Sequence, residues 1–439
     1  MKFFDRENEI ARLRAIREKA AKTARLTVIT GRRRVGKTQL VKRALEDRPY
    51  LYFYVARKTE RDLCAGFVEQ VHDVLDVPTI GQVSRFEDVF RVVVEESKRR
   101  PVTLVIDEFQ DFYRVNPSVF SAMADIWDDA AKSSKLNLVV CGSVNRLMTK
   151  IFKDRSEPLY GRNTGLMHIE PFRVSVLKKI LATYRPHYSP DDLLALWTMT
   201  GGVARYVELL MDERAFTRKA MVKTVFSVDS PFFDEGMSVL VQEFGKEYGT
   251  YFSILSAIAS GKTEYSQIKN EVGTEVGSFL AKLETEYGLV KRKLPLLALS
   301  TQKKSVYEID DCFFRFWFRF VWKNAYLREL QRFDVLQEIA LRDFDVFSGY
   351  ALERYFHWKF LEETRYTRMD SWWDRKGENE IDLVCEDAVG NALDFYEIKR
   401  ERRRIDLSAL DQKVRAFLRK HPSFQDWKLS LKGLCMEDM

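Results

Sequence analysis

The sequence predicts an α/β protein: a parallel sheet built around a phosphate-binding loop, then a mainly helical stretch, then a second and smaller α/β unit. Three observations predict it. Gly31-Arg32-Arg33-Arg34-Val35-Gly36-Lys37-Thr38 fits the pattern G-x-x-x-x-G-K-[ST]. Val102–Ile106 is an apolar run that ends in Asp107-Glu108. Asp382, Glu397 and Lys399 lie in two further strand-like runs with the layout D…E-x-K.

The loop is set where phosphate binding needs it. Leu26–Thr30 before it is short and β-branched, and Gln39–Leu45 after it is good helix material. Gly31 and Gly36 let backbone N–H groups turn inward around a phosphate at a helix N-terminus. Lys37 would reach the β and γ oxygens of ATP, and the Thr38 hydroxyl would hold Mg²⁺. Arg32, Arg33, Arg34 and Val35 between the glycines, and Gln39 after the threonine, complete the segment expected to contact ATP. Tyr50–Ala56 reads as a buried strand from its aromatic and β-branched content. Helices are expected near Glu60–Val74 and Phe86–Arg99. The run at Val102 would be buried in the parallel sheet, with Asp107 emerging at its end to support Mg²⁺ and Glu108 placed to polarise the attacking water. Leu136–Ser143 repeats the strand-then-polar pattern, and Leu166–Pro171 reads as a fifth strand.

At 439 residues the chain exceeds one ordinary core, so two or three domains are expected. A net charge of +7 permits a nucleic-acid partner without demanding one. The five cysteines show no C-x-x-C spacing, which argues for reduced thiols and against a disulfide frame or a zinc site. Asp5, Arg6 and Glu7 follow the start too closely for a signal peptide. No apolar run approaches the ~18 residues of a membrane span. A cytoplasmic protein without membrane contact is expected.

Helices then dominate. Ser189-Pro190-Asp191-Asp192 starts one that runs to Met199 and stops at Gly201-Gly202. From about Gly249 the helical stretches Tyr251–Ala259, Glu264–Glu271 and Thr274–Tyr287 precede two strands, Leu289–Lys293 and Ser305–Ile309, around a basic loop containing Lys303 and Lys304. Three helices and a two-stranded wing describe a winged helix-turn-helix. Its third helix would turn Ser278, Lys282 and Glu284 outward and read DNA, or the module would dock a protein. In the last third, Ser348–Trp358 is helical and carries Glu353. Ile381–Val384 and Leu393–Ile398 form a hairpin on which Asp382 and Glu397 face one side, with Lys399 pointing the same way as Glu397. Carboxylates beside a lysine form an oxygen site for Mg²⁺ or Mn²⁺, and the lysine can position water for attack on a phosphodiester. The alternative is a hairpin whose charged face is merely solvated. The run Lys399–Arg404 is a solvated face or a grip on phosphate backbone.

Taken together, Phe4–Glu9, Gly31–Thr38, Ile106–Gln110, Cys141–Ser143, Pro158–Arg162, Gly201–Tyr206, Asp311–Trp317, Glu353-Arg354, Asn379–Asp382 and Glu397–Lys399 give the chain a family likeness. It resembles the archaeal-type P-loop ATPases related to AAA+ and STAND proteins, in the architecture with a C-terminal PD-(D/E)xK nuclease-like domain. The resemblance implies that the segment Phe4–Ile10, at the start of a helix running to Leu13, lines an adenine pocket, the alternative being plain packing. It also implies that Ser143 is a γ-phosphate sensor, the alternative being a helix N-cap. Arg162 would be an arginine finger completing a neighbour's site in a homo-oligomer, the alternative being a surface arginine. Arg205 would be a second sensor or a solvated helix-start residue. The family usually has proline where this chain has Ala204, and that proline touches nucleotide in STAND relatives.

The expected organisation is a P-loop NTPase core over residues 1–172, a helical lid over 173–245, a winged helix-turn-helix over 246–312, and an α/β restriction-endonuclease-like domain over 313–439. The expected function is an ATP-binding and ATP-hydrolysing switch. It is coupled to a metal-dependent nuclease site of Glu353, Asp382, Glu397 and Lys399 acting on nucleic acid, with DNA favoured. The rival is a nucleotide-controlled regulatory protein whose winged helix and nuclease-like fold bind without cutting.

Overall fold

In the computed structural model, residues 1–78, 83–143, 145–245, 248–298, 305–364, 366–374 and 377–439 are described. They form two compact units, Phe4–Pro171 and Met1–Phe3 with Phe172–Met439. The basic-loop residues Lys303 and Lys304 lie outside the described residues.

The first unit is a five-stranded parallel sheet of β1 (Arg25–Thr30), β2 (Leu51–Tyr54), β3 (Val102–Asp107), β4 (Leu136–Cys141) and β5 (Gly165–His168), in the order β2-β3-β4-β1-β5. Its strands read as continuous apolar runs because both faces are covered. Val28, Leu104, Ile106, Leu138 and Val140 enter one core, with the helices α3 (Glu60–Leu75), α4 (Phe86–Arg99), α5 (Phe112–Val115), α6 (Ser118–Ala130) and α7 (Asn145–Lys153). Their neighbours Ile29, Val105, Val139 and Cys141 enter the other, against α1 (Glu7–Ala20) and α2 (Lys37–Leu45). Each such side chain contributes roughly 1.5–3 kcal/mol by leaving water. The fifth strand stops at His168, short of the expected Pro171. Ile169 N still donates to Thr30 O at 2.8 Å, and Pro171 has no N–H to continue the ladder.

The second unit opens with α8 (Val174–Tyr184), α9 (Pro190–Thr200), α10 (Ala204–Asp212), α11 (Arg218–Val225) and α12 (Phe232–Phe244). Ser189 and Asp192 form a capping box at the start of α9, and Gly201 closes it at φ +56°. Next come α13 (Tyr248–Ala259), α14 (Tyr265–Val272) and α15 (Gly277–Thr285), then an antiparallel hairpin of β6 (Val290–Lys293) and β7 (Val306–Ile309). Glu284 on α15 accepts from Arg292 N at 3.1 Å, so one of the three residues expected to face outward ties the helix to the hairpin. Then follow α16 (Cys312–Phe316), a π-helical turn at Trp317–Val321, α17 (Ala325–Glu329) and the long α18 (Phe333–Glu363).

The chain ends in a mixed sheet of β8 (Arg368–Trp373), β9 (Glu380–Asp387), β10 (Ala392–Ile398) and β11 (Lys428–Leu434), in the order β11-β10-β9-β8. β10 is antiparallel to β9 and parallel to β11, with α19 (Leu407–Lys420) in the crossover. Leu410, Val414 and Phe417 of α19 pack with Trp372, Val384 and Phe395 of the sheet. The expected boundaries at 245/246 and 312/313 fall inside this second unit. All five cysteines are free and buried. Among the described residues no helix is long and apolar enough to cross a membrane.

Candidate functional site

The loop between β1 and α2 has the backbone that its glycines allow. Gly31 sits at φ +149°, and a Cβ there would lie 2.5 Å from Ile169 O, so only glycine fits. Gly36 at φ +94° caps α2, and Arg34 is left-handed at φ +71°. Val35 is buried beneath the loop among Leu40, Val41 and Ile29, whereas Arg34 and Gln39 are exposed. Lys37 is buried and its Nζ donates to Gly31 O at 2.8 Å and Arg32 O at 3.0 Å. The lysine therefore already spans the mouth of the loop.

Two acids meet this loop from the end of β3. Asp107 Oδ2 accepts from Thr38 Oγ1 at 2.8 Å and from the Tyr52 hydroxyl at 2.5 Å, while Oδ1 takes Glu108 N at 2.9 Å. Burial, with Asp107 adding to it, pushes the Tyr52 phenol far above its ordinary value, so it stays a donor. Glu108 is left-handed at φ +54°, an uncommon conformation for a residue with a side chain. Its Oε2 accepts from Ser143 Oγ at 2.7 Å and from Gln110 Nε2 at 2.6 Å. Ser143 thus reaches the acid from β4, one strand over. Burial first, then the Glu108 charge, raises the carboxyl of nearby Asp111 above its usual range.

The other expected residues of this unit are placed as follows. Arg6 donates to Glu170 O at 2.5 Å and is buried ahead of α1. Arg162 forks onto Asp128, with Nε–Oδ1 at 2.9 Å and Nη2–Oδ2 at 2.6 Å, and also bonds the Pro158 carbonyl. In the second unit, Arg205 pairs with Glu208 one turn along α10 at 2.7 Å.

The D…E-x-K residues are brought together. In the register that pairs Tyr396 with Leu383, Glu397 comes to lie across from Asp382 on the neighbouring strand. Lys399 Nζ is 2.9 Å from Asp382 Oδ2 and 2.9 Å from Glu397 Oε1. Ile398 N also donates to Asp382 Oδ2 at 2.7 Å, and Lys413 of α19 donates to Glu397 Oε2 at 3.0 Å. Burial works against the Glu397 charge, but the hydrogen bonds from Lys399 and Lys413 outweigh it and hold the carboxyl below its usual range. Burial likewise opposes the Lys399 charge and is outweighed by Glu397 and Asp382, which raise it. Glu353, on α18, is pushed up to about 8 by burial and then by the Asp382 charge. Among the described residues no group of three or more His, Cys, Asp or Glu side chains is arranged to hold a metal ion.

The basic run after Lys399 is engaged within the chain. Arg400 reaches Asp191 at 2.6 Å and Asp345 at 3.1 Å, Arg402 pairs with Glu437 and Asp438, and Arg403 with Glu401. Tyr52, Gln110 and Lys413 were not legible as site residues. Tyr50 and Tyr52 alternate with Leu51 and Phe53, which puts the tyrosines on the sheet face that packs with α2 but does not by itself bring Tyr52 to Asp107.

Residues 3–210 match the family described as an ATPase domain predominantly from Archaea. Residues 317–413 match a family of archaeal and bacterial proteins of unknown function. Over 409 residues the chain is 29% identical to an uncharacterized protein of Methanocaldococcus jannaschii, covering 90% of this chain and 87% of that one. It is similar in structure to the Walker-type ATPase of Pyrococcus abyssi, with a TM-score of 0.54 and 19% identity over 72% of this chain and 96% of that one. It is also similar to the ORC2 protein of Aeropyrum pernix in its ADPNP–ADP complexes, with a TM-score of 0.50 and 12% identity over 78% and 96% of the two chains. The structural likenesses speak to fold alone. With the family match and the loop geometry, they make the N-terminal part of the chain a nucleotide-binding P-loop ATPase domain.

Proposed function

We propose that this chain is an ATP-driven switch whose nucleotide state controls a metal-dependent phosphodiesterase site at Asp382, Glu397 and Lys399, acting on nucleic acid. The observation that carries the second half is the convergence of two carboxylates from adjacent strands on one cation, the Lys399 ammonium, at 2.9 Å each. Carboxylates so aimed fit a hard divalent ion.

At the ATPase site Lys37 leaves its two loop carbonyls for the β and γ oxygens. Ser143 and Gln110 hold Glu108, which orients a water toward the γ-phosphorus and takes its proton at a carboxylate oxygen. The new bond forms from the water oxygen as the bond to the β-phosphate oxygen breaks. Thr38 and Asp107, whose oxygens are 2.8 Å apart, fit Mg²⁺, which would neutralise phosphate charge. Arg162, once released from Asp128, would serve a neighbouring copy. At the second site Asp382 and Glu397 would hold Mg²⁺ or Mn²⁺, which supplies charge to the scissile phosphate. Lys399 positions the attacking water, and Glu353, its carboxyl pushed up to about 8 by burial and then by the Asp382 charge, adds no charge at neutral pH. Helices α13–α15 with the β6–β7 hairpin act as a winged helix that brings DNA to the chain.

A second reading has a specific observation behind it. Lys399 and Lys413 already neutralise the carboxylate pair, which suits a fold that binds without cutting. Plasmid, linear duplex, single-stranded DNA and RNA are incubated with Mg²⁺ or Mn²⁺, with and without ATP, using the native chain, Lys37→Ala and Asp382→Ala. Cleavage lost in Asp382→Ala, and responsive to ATP only when Lys37 is present, is expected. Cutting that survives in Asp382→Ala sinks the assignment. Intact ATP turnover with no cutting leaves the binding protein.

A further inference from the structure

The second unit contains a cavity of about 460 Å³ between the turn that follows α13, the aromatic segment around the π-helical turn, and the middle of α18. It belongs to neither site described above. Four cations line it, Arg315, Arg319, Lys323 and Arg342, against one carboxylate, Asp343. Gathering four like charges around one space costs Coulomb energy that a bound anion would relieve.

The cations are held in different ways. Arg315 sits over the Tyr350 ring, its Cζ 3.6 Å from the centroid. Arg342 Nε is 2.7 Å from Asp343 Oδ1, and Arg319 Nη2 is 3.3 Å from Asp343 Oδ2, so a single carboxylate holds two guanidinium groups. Hydrogen bonding to Arg342 keeps that carboxyl below its usual range. Among the described residues neither Arg315 nor Lys323 forms an ion pair. The end of α13 does not oppose an anion strongly: Ser260 N, Gly261 N and Lys262 N already take the carbonyls of Ser256, Ile258 and Ala257. Phe318 and Phe347 supply an apolar wall.

We infer that this cavity binds a phosphorylated small ligand of nucleotide size. The volume falls in the usual range for such sites, about 300–1,000 Å³. The excess of cations suits a phosphate of about two negative charges. The guanidinium groups of Arg315, Arg319 and Arg342 suit its paired oxygens. The aromatic wall suits an organic moiety rather than a bare ion. A track for nucleic-acid backbone would run on along the surface, whereas this space has the extent of a single ligand. The inference stands apart from the proposed nuclease reading, since it uses none of those residues.

The test uses the full chain carrying Lys37→Ala, so that the ATPase loop is silenced. Equilibrium binding is measured for AMP, adenosine, pyrophosphate and a 5′-phosphorylated single strand of about twenty nucleotides. Two variants are added on that background: Lys323→Ala with Arg342→Ala, both exposed side chains, and Val346→Glu, which puts a carboxylate on the 89% exposed rim residue. Circular dichroism checks their fold. One AMP per chain is expected, with affinity about tenfold lower in each variant, as loss of charge-assisted contacts predicts. Adenosine and pyrophosphate are each expected to bind at least about tenfold more weakly than AMP. Absence of AMP binding, binding indifferent to both variants, or preference for pyrophosphate or the strand over AMP overturns the inference.

Discussion

In the proposed ATPase chemistry Glu108 is the base, and its left-handed backbone is the feature that sets it apart from its neighbours. A left-handed glutamate persists only where the surroundings over-determine it, and here Ser143 and Gln110 do so from two sides. Glu108→Gln keeps the hydrogen bonds that an amide oxygen can accept and loses the base. ATP hydrolysis is expected to fall by roughly a hundredfold or more while ATP still binds, as seen by comparing phosphate release with nucleotide retention. Glu353 gives a second prediction, at the other end of the chain. Its carboxyl holds a proton up to about 8, against an ordinary value of 4.5, because burial and the charges of Asp382 and Glu380 outweigh Lys293 and Lys399. The unfolded chain releases that proton near pH 4.5 and the folded chain near 8, so unfolding releases a proton between them. Stability contributed by this group is complete below pH 4.5 and is lost as pH rises to about 8. Urea midpoints should therefore decline over that interval, and Glu353→Gln should flatten the decline. An equal slope in the variant would show that the proton sits elsewhere. The loop, Asp107 and Glu108 were readable from sequence because each is a run of neighbours whose spacing is the chemistry. Tyr52 and Lys413 were not, because they meet Asp107 and Glu397 only after separate elements pack.

At the scale of elements, the junction of α12 with the aromatic segment shows how a local preference is overruled. Glycine within a helix ordinarily costs about 1 kcal/mol relative to alanine. Gly236 lies inside α12, yet a Cβ there would stand 2.4 Å from Trp317 Cδ2 and Cε2. That ring is fully buried, and its Nε1 donates to Phe232 O at 3.0 Å and Phe233 O at 3.2 Å, so it has little room to yield. Gly236→Ala is expected to destabilise by about 1–3 kcal/mol through overpacking, and thermal unfolding reads the sign. A raised melting temperature would mean that helix propensity wins. The aromatic density of Cys312–Phe320 was visible in sequence, and its role as a packing hub was not, because Phe232, Phe252 and Phe347 come to it from three distant helices. The C-terminal sheet was legible only at its centre. β9 and β10 carry the apolar runs Leu383–Cys385 and Phe395-Tyr396, while β8 and β11 carry Asp370, Ser371, Lys428 and Lys432 and declare themselves only by pairing.

At the scale of the whole molecule, one unit carries the nucleotide loop and the other the carboxylate–lysine cluster. Ligand that binds only the folded first unit stabilises it by about 2.7 kcal/mol at a hundred times its dissociation constant. With ATP at that excess, slow amide exchange within residues 4–171 should be further slowed by about a hundredfold, and Lys37→Ala should abolish the effect. Sequence punctuation suggested four segments. Residues 172–439 form one unit, within which Arg400, Arg218, Asp191 and Asp345 tie the start of α9 to α18 and to the residues after β10 across long stretches of chain. The buried cysteines then acquire a use. Cys64 and Cys141 lie in the first unit and Cys312, Cys385 and Cys435 in the second, all shielded from solvent. Their thiols react with an alkylating probe only when the surrounding fold opens. A timed exposure to iodoacetamide followed by peptide mass analysis would thus clock the breathing of each half of the chain separately, with no engineered label.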